Sequence, residues 1–180
     1  MPPHVTLVPV DLDHQDLRAA LQQAGYSGGE PTFFVWEGVT QYLTEAAVRK
    51  TFEFFRSASR GSQLVFTYIR QDFLEGRRKY GLETLHRQAV VKSRLWQFGW
   101  EPDAIGGFLD EYAWTEVEQA GSTDYQARYL APVNRALLVM EVERAVLARN
   151  ATHLQSAPHP AHTHTHGPPT SLPRAPIHSG

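Results

Sequence analysis

Phe33-Phe34-Val35-Trp36-Glu37-Gly38-Val39-Thr40-Gln41-Tyr42-Leu43-Thr44 decides how this chain is read. Four bulky apolar residues without alternation predict a strand buried on both faces, as in a parallel sheet. A carboxylate and a glycine follow directly, so the strand ends in a polar turn. Thr44 is a good helix N-cap, Glu45 suits a first turn, and Val48, Phe52 and Phe55 make an apolar helical stripe. The stretch therefore reads as strand, turn and helix.

The same scheme extends on both sides. Upstream, His4 to Val10 is a β-branched run that predicts a strand ending at Asp11-Leu12. Asp13 is the expected cap of a helix carrying Leu17, Leu21 and Ala24, with Gly25 as its stop. Downstream, Gly61-Ser62 ends the second helix, and Gln63 to Tyr68 is another strand. Helix-length connections between strands predict a parallel α/β sheet. A loose, charged helical region is expected from Asp72 to about Trp100, then a short helix begun by Pro102 and carrying Ile105, Phe108 and Leu109. Trp114 to Glu118 alternates with period two, and Ala136 to Val142 is a strand-length apolar run. These two predict an antiparallel hairpin closing one side of the sheet.

Composition sets the limits. Of 180 residues, the last thirty hold six of the nine His, six of the twelve Pro and one charge, Arg174. Residues 1–150 form the foldable domain, whereas 151–180 predict a disordered His/Pro-rich tail. No apolar run is long enough for a membrane span, which predicts no membrane partner and a cytoplasmic protein. Mild acidity without a basic block argues against nucleic acid. The chain has no cysteine, which excludes thiolate chemistry. His162, His164 and His166 alternate with Thr but lack a rigid frame, and His4, His14 and His86 have no ligand-like spacing, so no metal site is expected. Gly-rich nucleotide loops and the G-x-S-x-G elbow are absent.

In an open α/β sheet, ligands sit beyond the carboxyl ends of the strands. Asp11 and Glu37 both fall there and can accept hydrogen bonds from a ligand amine or hydroxyl. Each also has a plain structural reading, Asp11 as a turn or capping residue and Glu37 as an arginine partner.

Val8-Pro9-Val10-Asp11-Leu12, Phe34 to Thr44 and Gly61 to Tyr68 occur in order at suitable intervals. Together they resemble the leucine carboxyl methyltransferase family, most closely its bacterial branch of S-adenosylmethionine-dependent enzymes, over about residues 5–148. The resemblance implies a Rossmann-like class I methyltransferase sheet lacking its first two strands. It also implies S-adenosyl-L-methionine as cofactor and an O-methyl acceptor, either a small molecule or a protein carboxylate. Asp11 would then accept from the adenine amine, Leu12 would pack on the ring, and Glu37 would bind the cofactor ammonium, with Gly38 beside it. Tyr42 would sit near the transferred methyl, although it also reads as a core tyrosine.

The family's glycine loop and ribose-binding acid would lie upstream of Val5. In the family order 3-2-1-4-5-7-6, strands 1 and 2 stand between the strand ending at Asp11 and the strand ending at Glu37. The Phe33–Trp36 strand is thus expected to present an unpaired apolar edge, and residues 1–180 alone are expected to be poorly stable or unable to bind cofactor. Two rival readings are a non-catalytic truncated fragment and a protein-interaction module using the aromatic-rich segment from Tyr80 to Trp114.

Overall fold

The structure is a computed structural model that describes residue 2 and residues 4–150. The expected tail at 151–180, with its His162, His164 and His166, lies outside the described residues.

Four strands form one sheet: β1 (Phe33–Trp36), β2 (Gln63–Ile69), β3 (Trp114–Ala120) and β4 (Glu143–Asn150), in the order β1-β2-β4-β3. β1 and β2 run parallel, with Trp36 opposite Phe66; β4 runs antiparallel to both β2 and β3. This is the stretch 4-5-7-6 of the order expected from the resemblance, a mixed α/β sheet closed by an antiparallel hairpin.

Helix α1 (Leu17–Gln23) precedes β1, and α2 (Glu45–Arg56) links β1 to β2. Thr44 caps α2 as expected, its Oγ1 accepting from Ala47 N at 3.2 Å. Val48, Phe52 and Phe55 are buried against the sheet. Phe52 lies within 4.9–6.4 Å, ring centre to ring centre, of Trp36, Phe55, Phe66, Trp100, Phe108 and Tyr112. Edge-to-face contacts predominate in this aromatic centre, as ring quadrupoles favour. The expected short helix is also present, as α5 (Ile105–Asp110), with Ile105, Phe108 and Leu109 buried. Between β2 and α5 run α3 (Gln71–Leu74), α4 (Glu83–Leu85) and a π-helical segment, His86–Lys92, before the chain becomes irregular.

Four expectations are corrected. Residues 5–10 form no strand. A β-branched run needs a partner for its ladder, and in the expected order two strands separate this segment from β1. The cap of α1 is Asp16, which accepts from Ala19 N at 3.2 Å, not Asp13. Asp13 instead accepts from Thr44 Oγ1 at 3.1 Å, tying this segment to the start of α2. β1 is not buried on both faces: Phe34 and Trp36 point into the core, while Phe33 and Val35 are 59% and 62% exposed. Finally, the last strand is Glu143–Asn150, not Ala136–Val142. Only the later segment alternates in register with β2, burying Val146 and Ala148, whereas Leu138 in the apolar run is 88% exposed. Among the described residues, no helix is long and apolar enough to cross a membrane.

Candidate functional site

The parallel strands β1 and β2 end side by side, and Glu37 and Gly38 follow the carboxyl end of β1 directly, whereas Asp11 and Leu12 follow no strand. Trp36 closes β1 in the core, so the chain leaves the sheet at Glu37. Gly38 then adopts φ +67°, a conformation that costs an L-residue strain but not glycine. No atom outside its chain neighbours lies within 4 Å of the place its Cβ would occupy, so backbone there faces open space. Gly38 N donates to Thr67 Oγ1 at 2.8 Å, and Thr40 Oγ1 donates to the Thr67 carbonyl at 2.8 Å. One residue of β2 thus holds both ends of the turn.

Glu37 is exposed and makes no hydrogen bond or ion pair among the described residues. The arginine partner that would explain it structurally is therefore not seen. Its charge is felt by Tyr125, whose phenol is pushed up mainly by burial, with Tyr129, Glu143, Glu37 and Asp124 adding to the shift.

Tyr42 ends a 3-10 turn, Thr40–Tyr42, and is 41% exposed, so it is not a core tyrosine. Its neighbour Gln41 is buried, with Oε1 lacking a donor among the described residues. Gln97 N donates to the Gln41 carbonyl at 2.7 Å, bringing the loop before Trp100 against this turn. That loop borders a groove of about 710 Å³ between α2 and α5, lined by Arg49, Gln97, Phe98, Trp100 and Phe108.

Asp11 is exposed, and its carboxylate is engaged: Oδ2 pairs with His14 Nδ1 at 2.9 Å and Oδ1 accepts from Asp13 N at 3.0 Å. The hydrogen bond to His14 holds the Asp11 carboxyl below its ordinary range, and the same bond raises the imidazole. Leu12 is half-buried against the main core. The Asp13–Thr44 bond brings this turn beside the corner at Tyr42–Thr44. No hydrogen bond or ion pair links Asp11 or Leu12 to Glu37, Gly38 or Tyr42.

One charged cluster escaped sequence reasoning. At the carboxyl end of β2, Arg70 bonds Asp72 through Nε and Nη2 at 3.2 and 3.0 Å, and Glu141 through Nη1 at 3.1 Å. Arg144 Nη1 reaches Glu141 at 2.5 Å, and Tyr80 donates to Asp72 at 2.5 Å. Burial and the Asp72 hydrogen bond lead the causes that push the Tyr80 phenol up to about 12. The Arg70–Asp72 spacing was the sole local signal; Glu141 is 71 residues away. No group of three or more His, Cys, Asp or Glu placed to hold a metal occurs among the described residues.

Comparison with known proteins adds the following. Residues 1–56 match the model of the leucine carboxyl methyltransferase family. A "Putative S-adenosyl-L-methionine-dependent methyltransferase" of Mycolicibacterium paratuberculosis is 30% identical over 140 residues, covering 70% of this chain. The chain spans 43% of that relative's length. Among solved structures, a "putative methyltransferase" from Thermobifida fusca aligns at 18% identity and TM-score 0.43, over 77% of this chain and 48% of the other. A "possible exported protein" from Bordetella parapertussis aligns at 16% identity and TM-score 0.46, over 82% and 54%.

Proposed function

From a chain whose residues 1–56 match the model of the leucine carboxyl methyltransferase family, we propose S-adenosyl-L-methionine-dependent O-methyl transfer as the function. The acceptor is a carboxylate or hydroxyl oxygen, on a small molecule or a protein, and the reaction is cytoplasmic. The observation that carries this reading is the pair Glu37–Gly38. A carboxylate without a partner among the described residues stands at the carboxyl end of a parallel strand, next to a backbone turn that opens on free space.

These residues fit the cofactor. Glu37 has its oxygens available for an ammonium, and Gly38 lets a ligand approach the main chain. Leu12 offers an apolar edge for a base, and Asp11 can accept an adenine amine once it exchanges its bond to His14. When bound, the cofactor supplies a methyl group already activated by the sulfonium. The protein's part is then proximity and alignment. Tyr42, 41% exposed at the end of the turn that follows Gly38, is the side chain proposed to border the acceptor. An anionic acceptor needs no general base.

Ultraviolet crosslinking with methyl-labelled S-adenosylmethionine, followed by peptide mapping, tests the reading. Saturable label on the peptide containing Glu37 and Tyr42, displaced by S-adenosylhomocysteine, supports it. The reading fails if no such label appears on the full chain, nor on that chain completed by the front half of the Mycolicibacterium relative.

The second reading, a non-catalytic fragment or interaction module, is favoured by one observation. The outer edge of β1 has no partner among the described strands, and Phe33 and Val35 stand exposed on it. Label confined to the completed chain would favour this reading for residues 1–180.

A further inference from the structure

The groove between α2 and α5, of about 710 Å³, opens at the carboxyl end of the sheet, where Glu45 begins the helix after β1 and Gln71 lies just beyond β2. It adjoins the turn of Tyr42. Gln97, in its lining, donates its backbone N–H to the Gln41 carbonyl at 2.7 Å and its side-chain amide to the Tyr42 carbonyl at 3.5 Å. We propose that this groove binds the protonated amine of a small organic molecule. On the methyl-transfer reading, that molecule is the acceptor, held by its amine while one of its oxygens is methylated beside Tyr42. The binding itself rests on the groove alone.

Charge selects the ligand. The ionised side chains lining the groove are Glu45, Arg49 and Glu111. Arg49 Nε donates to Glu45 Oε1 at 2.8 Å and Nη1 donates to Glu111 Oε2 at 2.9 Å, so one guanidinium serves two carboxylates. One negative charge is left over. Glu45 Oε2 and Glu111 Oε1 accept no hydrogen bond among the described residues. The neighbouring ion cluster repeats the imbalance: Gln71 Nε2 donates to Glu75 Oε1 at 2.9 Å, and Arg77 is shared between Glu75 and Glu101. An anion is therefore repelled from the groove and a cation drawn to it.

Aromatic rings supply the other half of the site. Phe98 and Phe108 line the groove on either side of Trp100, with ring centres 4.5 and 5.0 Å from it. Arg49 already lies 5.2 Å over the Phe108 ring, so a cation against this aromatic wall is a contact the fold itself uses. Phe98 is half-buried and carries no cation among the described residues. Its ring is thus the free face for an alkylammonium, and the volume is that of a small-molecule site.

The test is a titration of the full 180-residue chain with 2-phenylethylamine, 2-phenylethanol and phenylacetate, followed at the backbone amide resonances of Phe98, Gly99 and Gly107. Saturable shifts with the amine, weaker binding of the alcohol and no saturable response to phenylacetate support the site. Glu111→Gln is expected to weaken the amine about two- to fivefold, the loss of one exposed charge. Gly107→Leu is the blocking variant. A Cβ at Gly107 meets no atom within 4 Å beyond its own helix backbone, so the new side chain enters the groove without displacing the fold. It is expected to weaken the amine by roughly tenfold or more, with unfolding unchanged in urea. No saturable shift with the amine, equal affinity for the alcohol, tighter binding of phenylacetate, or unchanged affinity in either variant each overturn the proposal. Cofactor crosslinking at the Glu37–Tyr42 peptide is read separately. Label without amine binding sinks this proposal alone, whereas amine binding without label on the full or the completed chain sinks the methyl-transfer reading and leaves the amine site standing.

Discussion

Gly38 N donates to Thr67 Oγ1 at 2.8 Å across the parallel pair β1–β2. The turn that presents Glu37 is therefore fixed by the neighbouring strand, and Thr40 repeats the attachment through the Thr67 carbonyl. The polypeptide after β1 behaves as part of the sheet rather than as a loop.

Replacing Gly38 tests that attachment. At φ +67° an alanine meets no atomic overlap, so its cost is backbone strain alone. Gly38→Ala is expected to lower the unfolding free energy by about 1–2 kcal/mol, measured by urea denaturation. A change below a few tenths would mean that the turn relaxes and is not held.

Glu37 should separate binding from stability. It is exposed and without a partner among the described residues, so Glu37→Gln is expected to shift stability by no more than about 0.5 kcal/mol. Cofactor crosslinking should nevertheless fall by roughly tenfold, reflecting a lost charge-assisted hydrogen bond. Unchanged labelling would remove Glu37 from the site.

Asp72 should dominate the acid limb of stability. Burial by itself would raise its pKa, but the hydrogen bonds from Arg70 and Tyr80 and the positive charges of Arg70 and Arg78 outweigh that and lower it. A carboxyl depressed in the folded state contributes stability fully above its unfolded value near 3.8 and loses it as pH falls through the lower folded value. Asp72→Asn is expected to cost about 3 kcal/mol near neutrality and to flatten the pH dependence of stability below about pH 4. Denaturant curves across that range check both.

Phe52 should be the costliest single truncation. It is fully buried among six aromatic rings, so Phe52→Ala leaves a cavity that neighbours on β1, α2, β2 and α5 cannot all close. The expected loss is about 3–5 kcal/mol by chemical denaturation. A loss under about 2 kcal/mol would show that the cluster repacks.

What the sequence disclosed was the local chemistry. The Thr44 cap, the Val48–Phe52–Phe55 stripe and the strand-to-turn change at Trp36–Glu37 are each set by residues within a few positions of one another. Strand identity near the ends was not local. Val5 to Val10 has strand-like residues but no ladder to join, and Ala136 to Met140 is apolar yet lies outside the register that β2 imposes. The true last strand is disguised by Arg144 and Arg149, which a search for apolar runs passes over. Likewise, nothing local joins Arg70 to Glu141; only the antiparallel return of β4 beside β2 does so.

The order β1-β2-β4-β3 has a temporal meaning as well. The strand made last stands in the middle, between two strands that do not touch each other in a ladder. Until Glu143–Asn150 has left the ribosome, β2 and β3 cannot be joined, and α2 and α5 pack against an unfinished surface. Such late, long-range closure slows assembly and lengthens the exposure of apolar strands to other chains. A nascent polypeptide halted before Glu143 would therefore be a client for chaperones rather than a smaller version of the same domain.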